Sequence, residues 1–179
     1  AAGIDNGAYV FDGVDDGILT SLNIDQSAGK TLTMCAWAYP TTSTTNDRDV
    51  ISTDNGGHDW AIDKSGGFWR VATGNGYWNT GTAVGVNAWQ HLCAVFDTNN
   101  IIFYRDAMPT SLGTAPGYDT SDSNIALGRN PSYPEFFDGI IDDVRVYNRA
   151  LSASEIKALH DAVVGPVPNQ PPTAFSQTV

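Results

Sequence analysis

The sequence predicts an all-β fold: a two-sheet antiparallel jelly-roll sandwich with one short C-terminal helix. Three observations predict it. Turn signals recur at short intervals, at Asp12-Gly13, Asp16-Gly17, Asn55-Gly56-Gly57, Gly66-Gly67, Gly74-Asn75-Gly76, Asn99-Asn100 and Asp138-Gly139. Between them lie short runs rich in β-branched and aromatic residues, the pattern of a sandwich or jelly roll. Finally, Tyr9-Val10-Phe11-Asp12-Gly13-Val14-Asp15-Asp16 near the start is echoed by Phe137-Asp138-Gly139-Ile140-Ile141-Asp142-Asp143-Val144 near the end. An all-β domain closes where its first and last strands meet, so the two acidic segments mark the expected seam.

In chain order, the expected strands are Leu32–Tyr39, Asp49–Ser52, Trp60–Asp63, Phe68–Ala72, His91–Phe96, Ile101–Arg105, Ile125–Leu127 and Ile140–Tyr147. One helix is expected at Ala153–Ala162. Ser152 is a natural N-cap, and Glu155 three residues on completes a capping box. Ile156 and Leu159 supply its apolar side. From residue 163 the composition turns to Gly165-Pro166-Val167-Pro168-Asn169-Gln170-Pro171-Pro172, which cannot continue a helix and makes a semi-rigid extended linker. The expected division is therefore a domain at 1–162 and a Pro-rich linker at 163–179. The segment Asn169–Ala174 resembles the opening of immunoglobulin-like or cadherin-like repeats in bacterial surface and secreted proteins. It implies a module of a longer chain, with neighbouring domains as partners.

At 179 residues the chain is long enough to bury a sizeable core. It opens Ala1-Ala2-Gly3 without methionine, as a processed or excised piece would, and shows no signal peptide. No apolar run is long enough to cross a membrane. Nine basic against 20 acidic residues give a net charge of −11. That sign argues against nucleic acid and against anionic membrane surfaces. The acids are almost all aspartate, the glutamates being Glu135 and Glu155. Aspartate suits turns and calcium loops, so an extracellular, calcium-tolerant protein is expected. Cys35 and Cys93 each fall mid-strand; their residues alone fit either a bridge or two buried thiols.

Five ordered segments carry a resemblance. They are Phe11–Asp16, Thr33–Pro40, Trp89–Phe96, Ala126–Arg129 and Phe137–Ser152. Together they resemble the laminin-G-like, concanavalin A-like jelly-roll superfamily from about Tyr9 to Leu159. The superfamily holds lectins, adhesion modules, pentraxins and glycan-cleaving enzymes, so the fold alone does not fix the function. Cys35 and Cys93 stand where pentraxins place their disulfide, which implies that they are joined. Asp142-Asp143-Val144-Arg145-Val146-Tyr147 is similar to the last strand of jelly-roll glycanases, whose first aspartate helps bind a structural calcium. The resemblance therefore implies calcium at Asp12, Gly13 and Asp142, brought together by strand closure. A second, ligand-bridging calcium of the pentraxin kind would draw on Asp54, Asn55 or Asp59 and the loop Asn130–Glu135.

Retaining glycanases of this fold use two close glutamates on one strand. Glu135 and Glu155 do not share one. Adjacent aspartates such as Asp15-Asp16 or Asp142-Asp143 point to opposite faces of a strand. No two histidines have metal-ligand spacing, and no phosphate loop or dinucleotide fingerprint appears. A non-catalytic role is expected. Trp37 and Trp89 lie in strand motifs and are expected in the core. Trp60, Trp69, Tyr77, Trp78 and Tyr133 lie among glycine, asparagine and proline, with His58, Asp59, Arg70 and Arg129 beside them. Aromatic faces stack on sugar C–H faces and polar side chains bind hydroxyls, so these nine residues are the expected ligand-binding set. The expected function is a secreted, non-catalytic carbohydrate-binding module for polysaccharide or glycan. Its rivals are a protein–protein adhesion or spacer module and a divergent glycanase or lyase.

Overall fold

The computed structural model describes residues 7–24, 31–54, 56, 60–74, 76–98, 100–113 and 124–164. Among them the chain forms β1 (Tyr9–Asp12), β2 (Ile18–Asn23), β3 (Leu32–Pro40), β4 (Arg48–Ser52), β5 (Ala61–Ser65) and β6 (Phe68–Thr73). Then come β7 (Gly76–Ala83), β8 (Gln90–Asp97), β9 (Asn100–Arg105), β10 (Met108–Gly113), β11 (Asn124–Leu127), β12 (Asp138–Tyr147) and the helix α1 (Ala153–Val164). The strands pair antiparallel into two six-stranded sheets, β1-β12-β3-β8-β9-β10 and β2-β11-β4-β5-β6-β7. The jelly-roll sandwich expected from the sequence is the architecture observed.

The most apolar runs became the centre of the first sheet. β3 and β8 are buried along nearly their whole length. A strand covered on both faces reads as a continuous hydrophobic run rather than an alternating one. One face meets the second sheet: Met34, Ala36, Ala38, Leu92, Ala94 and Phe96 pack with Val50, Ile51, Ile62, Trp69 and Val71. The other face meets the helix: Cys35, Cys93, Val95 and Tyr104 lie under Leu151 and Ile156. Cys35 is directly opposite Cys93 in the β3–β8 register, and the two are joined across 4.1 Å between Cα atoms. The bridge implied by the pentraxin likeness is present.

The capping box also forms. Glu155 accepts the Ser152 backbone N–H at 2.8 Å, and Ser152 Oγ accepts the Glu155 N–H at 3.3 Å. Thr33 Oγ1 fixes the approach of the helix by donating to the Arg149 carbonyl at 2.8 Å and accepting the Leu151 N–H at 3.0 Å. The helix continues through Val163 and Val164, two residues past the expected domain boundary, because valine does not stop a helix and the first proline comes later. Residues 165–179, most of the expected linker, lie outside the described residues.

His91 and His160 meet at this helix interface. Trp37 packs against His91 at 5.2 Å and stacks on His160 at 5.5 Å between ring centroids. Burial, His160 and Arg145 together push the His91 imidazole down to about 4. Its folded state therefore resists a proton that the unfolded chain accepts near the ordinary value of about 6.5. This contribution is complete above the unfolded value and is lost as pH falls toward 4. Asp49, Asp63 and Glu135, whose carboxyls are raised, act in the opposite sense. The comparison that isolates His91 is therefore wild type against His91→Gln. The melting-temperature gap between them is expected to shrink steadily from pH 7 to pH 4.5; a constant gap would show that His91 does not titrate in this way.

Candidate functional site

The polar constellation of the molecule lies on the outer face of the second sheet. Strand alternation sets it up. Ile62, Lys64, Trp69 and Val71 point inward, so Ala61, Asp63, Arg70 and Ala72 point outward. The register then places Asp49 of β4 opposite Asp63, Asn79 of β7 opposite Arg70, and Tyr77 opposite Ala72. Gly128–Phe137 folds back beside this face, held by the Arg129–Phe136 bridge and by the Asp49 N–H donating to the Glu135 carbonyl at 3.4 Å.

Arg70 organises the patch. Its guanidinium donates twice to Asp63, at 2.8 and 2.7 Å, and reaches Asp47 at 2.9 Å. It also lies over the Tyr77 ring at 4.3 Å from the centroid. Burial and the surrounding acids raise the Tyr77 phenol, so it stays protonated as a hydrogen-bond donor. Burial raises the Asp63 carboxyl despite Arg70, and burial likewise raises Glu135. Asn130 is fully buried and bridges the loop to the sheet: its Nδ2 donates to Asp54 at 3.0 Å and to Glu135 at 2.9 Å. Ser132 and the exposed Tyr133 continue this contact, donating to the carbonyls of Asp54 at 3.1 Å and Gly56 at 3.5 Å.

The structure brings together Arg70, Tyr77 and, at the loop end, Tyr133 from the expected ligand set. It removes the tryptophans. Trp60 and Trp69 are buried core residues; Trp60 packs edge-on against Phe96 at 4.2 Å, and Trp69 Nε1 donates to Gln90 at 3.0 Å. Trp78 packs against the same core because it pairs with Val71, an inward position. Glycine- and asparagine-rich surroundings suggested exposed positions, but these three residues stand in or beside strands and point to the inward face, which is the core. Trp89 departs from expectation the other way. It lies just outside β8, half-buried, with its ring edge-on to Tyr39 at 5.6 Å. Arg129 spends its guanidinium on its own loop, bonding the carbonyls of Asn130 and Pro131 at 3.1 and 3.4 Å. His58 and Asp59 lie outside the described residues, as does Asn55. Asp47, Asp49, Asp63 and Asn79 were not expected at the site; cross-strand register, which a single sequence does not display, sets the last three there. Asn130 and Glu135 belong to the loop expected to serve a second calcium with Asp54, and here Asn130 bonds both acids.

The calcium set does not converge. The seam closes as expected, β1 pairing with β12, but the antiparallel register sets Asp12 opposite Asp138. Asp142 stands four residues further along, about 13 Å at strand rise, opposite Trp37 at a bulge where Asp143 has φ of 44°. The Gly13 carbonyl accepts Arg48 Nη1 at 2.6 Å, which sets a fixed positive charge beside it. These residues do not fit a shared ion. The carboxylates of Asp12, Asp15 and Asp16 do approach one another. All three are exposed, and Asp12 and Asp16 accept backbone N–H groups of their own turn.

Comparison with known proteins gives the family. Residues 12–157 match a laminin-G family model described as the concanavalin A-like lectin/glucanases superfamily. The chain belongs to that superfamily. Among solved structures, domain 4 of AbnA, a GH43 extracellular arabinanase from Geobacillus stearothermophilus, solved with arabinotriose, has a TM-score of 0.72 at 21% identity, covering 89% of this chain and 79% of that one. The heptameric SAP-like pentraxin of Limulus polyphemus has a TM-score of 0.61 at 19% identity, covering 89% of this chain and 84% of that one. A curated relative, adhesion G-protein coupled receptor V1 of Danio rerio, is 32% identical over 79 residues, 42% of this chain. The chain spans about 1% of that receptor's length. Among the described residues no helix of this superfamily member is long and apolar enough to cross a membrane, and its disulfide is compatible with an extracellular setting.

Proposed function

We propose that this domain is a non-catalytic carbohydrate-binding module of a larger secreted protein, and that its glycan lies across the outer face of the second sheet. The observation that carries this reading is the Arg70–Tyr77 pair set among Asp47, Asp63, Asn79 and Glu135. Tyr77 is 37% exposed, so one ring surface reaches solvent while the guanidinium steadies the ring. Aromatic surface for sugar C–H faces and fixed acceptors for hydroxyls then share one patch. The fold likeness to an arabinanase domain solved with arabinotriose supports the same reading. Against catalysis stands the placement of the glutamates: Glu135 borders this face, whereas Glu155 caps the helix that covers the other sheet. A single module of this kind binds weakly, and tethering to neighbouring domains raises its effective concentration at an insoluble polymer.

The test is calorimetric titration with arabino-, gluco-, xylo- and amino-oligosaccharides, each with calcium and with chelator. One class is expected to bind without changing over time. Tyr77→Ala is expected to weaken that binding about tenfold or more, roughly 1.4 kcal/mol, while the variant stays folded because Tyr77 lies on an edge strand. Steady release of reducing ends or unsaturated products would establish an enzyme instead. No response to any sugar would make protein–protein adhesion the better reading.

A further inference from the structure

The outer-face cluster is short of donors and of positive charge. Asp49 and Asp63 are directly opposite on neighbouring strands, an arrangement in which like charges repel. Arg70 answers Asp63 and Asp47. Asp49 is 1% exposed, and neither of its carboxylate oxygens completes a hydrogen bond. Ser52 is the neighbour that favours its charged form, yet the hydroxyl does not reach bonding geometry. Asn130 cannot turn to help. Its Oδ1 accepts the N–H groups of Ser132 and Tyr133 at 2.8 and 3.1 Å, which commits both Nδ2 hydrogens to Asp54 and Glu135. Burial, with Asp63, Glu135 and Asp54 around it, pushes the Asp49 carboxyl well above its ordinary range. A buried, unpartnered carboxyl among acids costs stability. Asparagine would serve the fold better, so this position suits a ligand rather than the core.

We propose that the ligand of this site carries a protonated amine, as in an oligosaccharide with free amino groups, and that Glu135 and Asp47 receive the ammonium above the buried carboxyl of Asp49. The proposal rests on the carbohydrate-binding reading and narrows its ligand. Glu135 and Asp47 are partly exposed and reachable, and Tyr77 offers an aromatic surface beside them. Asp49 does not touch the ligand. The charge it gains as the ammonium arrives and its proton leaves acts from beneath, through low-dielectric surroundings where attraction is weakly screened. A neutral sugar supplies donors but leaves the charge excess; an ammonium supplies both. Calcium fits less well here, because it needs six to eight oxygens and the Asn130 N–H groups already point between Asp54 and Glu135.

The experiment is titration at pH 6 with a glucosamine trisaccharide, its N-acetylated counterpart and a neutral glucose trisaccharide, with calcium and with chelator. The amine is expected to bind at least about tenfold tighter than the N-acetylated form, and the preference to weaken as salt rises. Binding is expected to release protons, read as a dependence of the heat on buffer ionisation enthalpy. Asp49→Asn is expected to raise the melting temperature yet remove most of the amine preference. Glu135→Gln, on a partly exposed loop, is expected to remove it as well. Equal or tighter binding of the N-acetylated or neutral sugar overturns this inference and leaves the binding module intact. Binding that appears only with calcium overturns it in favour of a metal-bridged site. Failure of every sugar overturns the binding reading itself.

Discussion

Replacing Lys64 with methionine is expected to cost about 3–5 kcal/mol of stability, the penalty for leaving one member of a buried ion pair behind. Lys64 points inward from β5, with its side chain 1% exposed, and its Nζ meets Asp138 of β12 at 2.5 Å. The same ammonium donates to the Thr42 carbonyl at 2.6 Å and lies over the Phe137 ring at 5.3 Å. Thr42 also bonds the Asp138 carboxylate. β5 belongs to the second sheet and β12 to the first, so this pair joins the two sheets at the end where β1 closes the sandwich. Asp138 is largely shielded, its side chain 12% exposed, and Gly13 packs so closely that a Cβ there would stand 2.8 Å from the Asp138 Cβ. Methionine preserves volume but strands the carboxylate. Urea unfolding reads the loss, and Lys64→Met with Asp138→Leu is expected to recover much of it, since a well-packed apolar pair often matches a buried ionic one. A single variant as stable as wild type would show that the pair contributes little.

Lys64 also shows where sequence reading stops. A lysine within Asp63-Lys64-Ser65-Gly66-Gly67 reads as a solvated strand end. Only the register, which makes its direction inward, reveals a buried partner in a strand far along the chain. The same limit separates the strands that were legible from those that were not. β3 and β8, covered on both faces, stand out as apolar runs. β2, β7 and β10 were not expected as strands, and all three are sheet edges. An edge strand needs one apolar row at most and tolerates glycine and proline, as Gly81 in β7 and Pro109 in β10 illustrate. The absence of β7 from the expected strands had a direct consequence. Tyr77 and Trp78 looked equivalent in sequence, yet adjacent residues on a strand face opposite ways, so one belongs to the site and the other to the core. The closing seam was legible because both termini carried the same acidic motif. Its register was not, and four residues of offset along β12 decide whether Asp12 meets Asp138 or Asp142.

Removing the Cys35–Cys93 bridge is expected to lower stability by about 4 kcal/mol, the chain-entropy value for cross-linking residues 58 apart. The effect should come mainly from the unfolded chain. β3 and β8 stay paired through their ladder, and the sulfurs keep their apolar cover under Leu151 and Ile156. Reduction alone is therefore the cleanest measurement, because it leaves the packing volume unchanged, and the denaturant slope should steepen as the unfolded state expands. Cys35→Ala with Cys93→Ala is expected to lose somewhat more, through the space vacated beneath the helix. Cys35→Ser alone should be worse than reduction, since it puts a hydroxyl in the apolar cover under Leu151 and Ile156 in place of a thiol. Glycan affinity gives the contrasting readout. The bridge lies on the helix-covered face of the first sheet and the candidate site on the far face of the second, with the whole core between them. A reduced protein below its melting temperature should bind with unchanged affinity; a parallel loss of binding would mean that the outer face depends on a sheet it does not touch.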